Sequence, residues 1–214
     1  CFIIEAEEQA RIHRLAAQHY QQNGFVQESI LSYVAAKAYD EAFEIMRTHP
    51  YEKLSHNTAL FFFEMISAFP EEYAAEHPLV RIFKAMLQKI LGNTREAKTL
   101  LEGMLEQYKD IPETAGEIHL SLGELISEEN VHEALKHYEM ANNCLPNGSK
   151  LRLPHSLYVV NRSLIKLYGN EADSLQKGLD SVEKVVALSA GPYQRTAETW
   201  HHLMLAEAAY YQMD

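Results

Sequence analysis

His132-Glu133-Ala134-Leu135-Lys136-His137 holds the residue types a metal-dependent hydrolase would need. Two imidazoles could bind zinc, and a carboxylate could take a proton from its water. The spacing defeats the reading. That chemistry places histidines at i and i+4 on one helix face. His132 and His137 are five apart, so at 3.6 residues per turn they diverge by about 140°. His201 and His202 follow Trp200; adjacent helical residues point about 100° apart, and these read as surface histidines beside one core aromatic. Glu7-Glu8, Glu71-Glu72 and Glu128-Glu129 could be acid–base pairs. Each falls near a helix end or on a solvated face, where capping or solubility accounts for it. G-x-S-x-G does not occur, and neither Cys1 nor Cys144 has a local nucleophile signature. Nor is there a G-x-x-x-x-G-K-[ST] phosphate cradle. The expectation is therefore no catalytic, cofactor-binding or metal-ligating residue, no cofactor, and no enzyme activity in this segment.

The elements around these residues are those of a soluble helical chain. Hydrophobic residues make up 47% and charged ones 23%, enough apolar material for a core in 214 residues. Thirty acids against nineteen Lys and Arg give a net charge of −11. Such a surface repels phosphate backbones, so no direct nucleic-acid contact is expected. The longest apolar run, Ala59-Leu60-Phe61-Phe62-Phe63, ends at Glu64, far short of a membrane helix. Two cysteines make no disulfide framework, and a reducing, cytoplasmic setting without a membrane is expected. The chain begins at Cys1 rather than Met and is expected to be a piece of a larger one.

Apolar spacing predicts amphipathic helices and no strands. Ile12, Leu15, Ala16, His19 and Tyr20 form one stripe; Tyr39, Ala42, Phe43 and Met46 form another. Breaks are predicted at Asn23-Gly24, His49-Pro50, Pro70, His77-Pro78, Gly92-Asn93, Ile111-Pro112, Pro146-Asn147-Gly148, Gly169-Asn170 and Gly191-Pro192. Asp40, Thr94, Asn130 and Asp173 are candidate N-caps. Ala134, Tyr138, Ala141 and Pro146 have the spacing of a tetratricopeptide second helix, with Leu122-Gly123 in the first. Gly92, Ala97, Leu101 and Met104 repeat the phase more loosely. The predicted fold class is all-α: a right-handed superhelix of antiparallel helix pairs, a degenerate tetratricopeptide-like solenoid forming one domain over residues 1–214. Stacking buries a face that no single pair can bury alone.

The stretch SYVAAKAYDEAFEIM, residues 32–46, stops one helix and starts another with neither glycine nor proline. Ala35 and Ala36 are expected to close the first helix against its neighbour, and Asp40 to cap the next. His13, Arg14, Ala16, Ala17, Tyr20, Gly24, Glu28, Ile30, Ala35, Ala36, Tyr39 and Ala42 form an ordered series around it. That series resembles the start of the helical-repeat domain in the large ATP-binding LuxR-type transcriptional regulators of the maltose-regulon activator type. Ser29 stands where that pattern has alanine, and Ala38 is aligned with its usual glycine. His77-Pro78-Leu79 and Arg95-Glu96-Ala97 continue the likeness, which runs from about Arg11 to Leu105.

The resemblance implies a sensor or interaction domain that lies between an ATPase module and a DNA-binding helix-turn-helix of the same chain. Its partners would be a small-molecule effector or a regulatory protein. The alternative is a free-standing tetratricopeptide scaffold gripping a partner peptide. Asn161, Arg162 and Lys166 would then offer carboxylate-binding groups, an incomplete set. The ligand-binding residues are unknown. Tyr33, Tyr158 and Arg162 are the groove candidates, because aromatic and arginine side chains supply the surface that grooves use.

Overall fold

The computed structural model describes residues 6–48, 54–127 and 129–145, with helical positions at 198–199, 202–203 and 205–206. Nine helices and no strand occur among the described residues. They are α1 (Ala6–Gln22), α2 (Val26–Ala35), α3 (Tyr39–Arg47), α4 (His56–Ser67), α5 (Glu71–Glu76), α6 (Pro78–Ile90), α7 (Thr94–Tyr108), α8 (Pro112–Ile126) and α9 (Val131–Cys144). The all-helical class is what the periodicity predicts. No helix among the described residues is long and apolar enough to cross a membrane. The chain divides into two compact units, Cys1–Ala97 and Lys98–Asp214.

Three helices end in the same hydrogen-bonded turn. After α1, Gly24 N–H donates to the Gln21 carbonyl and Phe25 N–H to that of Tyr20. After α6, Gly92 donates to Lys89 and Asn93 to Gln88. Both glycines are left-handed, at φ +78° and +87°, as this Schellman closure requires of the residue past the helix. After α2 the pattern recurs without glycine: Lys37 donates to Val34 and Ala38 to Tyr33. Lys37 takes φ +56°, a conformation that costs a residue with a Cβ about 1 kcal/mol or more. The glycine-equivalent position is therefore Lys37 and not Ala38.

Two further expectations for this stretch are corrected. Asp40 does not cap α3, because Ala38 occupies the N-cap position and no side chain supplies a cap there. Ala35 is exposed, and Ala36 and Ala38 are the buried alanines. Ser55 caps α4 by accepting from Thr58 N–H at 3.1 Å, and Asn130 caps α9 by accepting from Glu133 N–H at 3.1 Å. Thr94 is the first residue of α7 rather than the residue before it. The described breaks at Gly24, Pro70, Pro78, Gly92 and Pro112 all separate helices. His49-Pro50, Pro146-Asn147-Gly148, Gly169-Asn170, Asp173 and Gly191-Pro192 lie outside the described residues.

In the first unit α1 packs on α2, α2 on α3 and α4, and α6 on α4 and α5. The α1 seam is set by Ala17, fully buried, and by Ser29, whose hydroxyl donates to the Ala17 carbonyl at 3.0 Å. A serine where the resembled pattern has alanine is thus satisfied by the facing helix, which removes the cost of burying a hydroxyl. The stripe expected on α1 is corrected: Ile12 is 45% exposed and Leu15 53%. The α3 stripe packs as predicted, with Ala42, Phe43 and Met46 buried and Tyr39 partly buried. Phe43 meets Phe83 of α6 edge to face, centroids 5.6 Å apart at 90°, and Phe62 of α4 lies against the same ring. One apolar cluster therefore joins α1 to α6.

In the second unit α8 and α9 form an antiparallel hairpin whose seam is built on missing side chains. A Cβ on Gly116 would stand 2.7 Å from Leu145 Cγ, and one on Gly123 would enter the Tyr138 ring. Ala134, Tyr138 and Ala141 are buried on the facing side, the contact positions that the tetratricopeptide spacing assigns. Leu101 and Met104 on α7 are fully buried too.

Three substitutions separate these effects. Gly123→Ala is expected to destabilise by about 1–2 kcal/mol, because overpacking against Tyr138 outweighs the helix propensity of alanine. Gly103→Ala meets open space on α7 and is expected to stabilise by about 0.5–1 kcal/mol. Lys37→Gly is expected to stabilise by about 0.5–1 kcal/mol by relieving the left-handed residue. Urea unfolding of the three proteins reads all of them; a stabilising Gly123→Ala would overturn the close-packed seam.

Candidate functional site

An open groove of about 440 Å³ lies on the first unit, lined by Gln21, Val26, Tyr33, Asp40, Glu41, Glu44, Ile45 and Thr48. The break at Lys37 makes it by folding α3 against α2, and Arg14 of α1 reaches Glu41 of α3. Val26 and Ile45 supply apolar surface and the first turn of α3 supplies carboxylates. Tyr33, a groove candidate from the sequence, borders it but is a core residue, with only 4% exposed. Its hydroxyl donates to Gln21 Oε1 at 3.0 Å. Burial raises the Tyr33 phenol above its ordinary pKa, Glu41 adds to the rise and Arg14 opposes it.

The carboxylates of this groove already have partners. Glu41 is 3.2 Å from Arg14 of α1, and Glu44 is 2.7 Å from Arg47. Asp40 accepts from the Tyr73 hydroxyl of α5 at 2.6 Å. Tyr73 sits in an aromatic group with Tyr39 and Phe69 and stacks on His77, centroids 4.1 Å apart at 19°. His77 Nδ1 donates to the Tyr73 carbonyl at 2.8 Å, and its Nε2 lies 3.8 Å from Asp40. That last contact attracts by charge only when the ring is protonated. Burial, then the Asp40 bond and its charge, raise the Tyr73 phenol far above its ordinary value of 10.0. The cluster fixes α5 to α3.

The second unit carries a different constellation. His119 of α8 and His137 of α9 meet Nδ1 to Nδ1 at 2.9 Å, both half-buried. One ring must donate and the other accept. Burial, and then His137, lower the pKa of His119 below its ordinary 6.5. His137 is lowered chiefly by burial and by Lys98, while Glu133 and Glu102 pull it back up. Lys98 Nζ lies 3.5 Å from Glu133 and 3.9 Å from Glu102.

His132 faces solvent while His137 turns to α8, so the two diverge as their spacing requires. Among the described residues no group of three or more His, Cys, Asp or Glu gathers where it could hold a metal. Glu7, Glu71 and Glu72 stand exposed in the first turns of α1 and α5, Glu8 pairs with Arg11 at 2.7 Å, and Glu129 is exposed. Cys144 is a free, partly buried thiol. His202 is exposed. Tyr158, Asn161, Arg162, Lys166, Trp200, His201, Cys1 and Glu128 lie outside the described residues.

The sequence reading passed over His119. Its signal was the seam itself, since Gly123 against Tyr138 fixes a register that brings His119 and His137 to neighbouring positions. No family model matches the chain, and no solved structure matches it.

Tyr73→Phe removes one hydrogen bond to a solvent-screened carboxylate and is expected to cost about 0.5–1 kcal/mol. The raised phenol also fixes the sign of an alkaline effect. Because the unfolded chain loses this proton first, the stability it contributes is complete below about pH 10 and declines above that. Tyr73→Phe should flatten that decline. Urea midpoints of both proteins at neutral and alkaline pH measure it, and parallel declines would count against the assignment.

Proposed function

We propose that this chain is a non-catalytic sensor or interaction domain of a multidomain, signal-responsive transcriptional regulator, and that it binds an effector or a partner protein. One observation carries the reading: several residues of the ordered series from Arg11 to Leu105 fall on the seams and turns of the helix pairs, although His13, Arg14, Glu28 and Ala35 are exposed. Ala17 and Ala42 are fully buried, and so are Ile30 and Ala97. Gly24 and Lys37 close helices by the same turn, and Pro78 opens α6. Buried positions of this kind support a helical-repeat domain because each answers a packing need. The α8–α9 hairpin, with Gly123 against Tyr138, supports stacked pairs of tetratricopeptide type, for which a right-handed superhelix is the expected arrangement.

In this reading the nucleotide chemistry and the DNA contact belong to neighbouring domains of the regulator, and the setting is cytoplasmic. The groove beside Tyr33 is open enough for contact, but its carboxylates are already paired with Arg14, Arg47 and Tyr73, so it selects no ligand by itself.

Reading the coding DNA on both sides of this segment tests the proposal directly. A phosphate-binding glycine loop upstream and a helix-turn-helix downstream are expected. Start and stop codons immediately flanking the segment would sink the reading and leave the peptide-binding scaffold. At the protein level, the purified 214-residue chain is expected neither to hydrolyse ATP nor to retard DNA in a gel. Robust activity in either assay would contradict the proposal.

A further inference from the structure

We infer that the imidazole pair His119–His137 is a pH-sensitive clasp on the α8–α9 seam, closed by a single N–H···N bond and opened when both rings carry protons. The geometry places the two Nδ1 atoms 2.9 Å apart, with ring centroids at 5.2 Å and planes inclined by 42°. One Nδ1 carries hydrogen and the other presents its lone pair. A first proton adds to the free Nε2 of the donor ring and leaves the bond intact, now strengthened by charge. A second proton has one place left, the accepting Nδ1. It removes the lone pair, sets N–H against N–H, and places two positive rings in contact.

The groups facing the pair set where this happens. From α9, Glu133 lies one turn before His137; from α7, Glu102 and Lys98 face it. The two carboxylates favour a proton on His137, and Lys98 opposes it while pairing with both. Because both carboxylates also lie within 4 Å of Lys98, they offset only part of the cost of two imidazolium ions at half-buried positions. The sign follows. Both folded-state pKa values lie below the ordinary 6.5, so the unfolded chain binds protons first. The stability held in the pair is complete above about pH 6.5 and is lost as pH falls below it. The inference concerns this hairpin alone and does not depend on the regulator reading.

The test uses the whole chain. Imidazole nitrogen NMR follows the protonation of His119 and His137 from about pH 7.5 to about pH 5. Amide exchange, corrected for its intrinsic pH dependence, follows the protection of α8 and α9 over the same range. Both rings should titrate below ordinary histidine, and the second protonation should coincide with a loss of protection of about tenfold or more. His119→Gln keeps a neutral donor but cannot be charged, so protection in that protein should vary much less with pH. Unchanged wild-type protection while both rings titrate would overturn the inference. So would an equal loss in the glutamine variant, and if that variant fails to fold the wild-type titration decides alone.

Discussion

Two helices can run close together only where one of them gives up bulk, and the described hairpin and the α1–α2 seam both depend on that constraint. Gly116 and Gly123 leave room on α8 for Leu145 and Tyr138. Ala17 and Ser29 do the same between α1 and α2. Once the backbones approach, register is no longer free, because large side chains fit only opposite the small ones. The polar contacts across those two seams sit in that register. His119 meets His137 because Gly123 meets Tyr138. Tyr33 reaches Gln21 across the same seam on which Ser29 sits on Ala17.

This explains which parts of the molecule were legible in the sequence. Breaks at Gly24, Pro70, Pro78, Gly92 and Pro112 could be read because the residue type itself imposes the backbone. Ala134, Tyr138 and Ala141 could be read because small and aromatic residues at helical spacing describe a seam. The left-handed turn at Lys37 was expected at Ala38 for the opposite reason. A lysine carries no mark of left-handed backbone; tertiary packing around buried Ala36 and Ala38 holds it there. Ile12 and Leu15 show the limit of periodicity, which finds an apolar stripe but does not supply a neighbour to cover it.

The candidate sites were harder to read than the fold, and the reason is distance along the chain. Residues that do chemistry on one helix announce themselves by spacing, so His132 and His137 could be judged at once. His119 and His137 are eighteen residues apart on different helices, and no local pattern joins them. Asp40 shows a related failure. Its position suggested a cap, yet its carboxylate serves Tyr73, thirty-three residues away. A polar residue near a helix end satisfies whichever donor packing brings closest, and the sequence records only the near ones.

Polar groups that cross these seams do so in pairs: Ser29 to Ala17, Tyr33 to Gln21, and His119 to His137. Such pairs add little net stability but penalise slippage, since a shifted register would strand a buried donor or acceptor. Apolar contacts discriminate between registers less sharply. The three pairs nevertheless differ in kind. A serine hydroxyl bonded to a carbonyl does not titrate, and a phenol with a raised pKa stays protonated well above neutrality. The histidine pair is held by a lone pair that a proton can take, within the range where cells change pH. The same need for a satisfied seam that fixes the hairpin therefore ties its register, at that one contact, to the proton concentration outside.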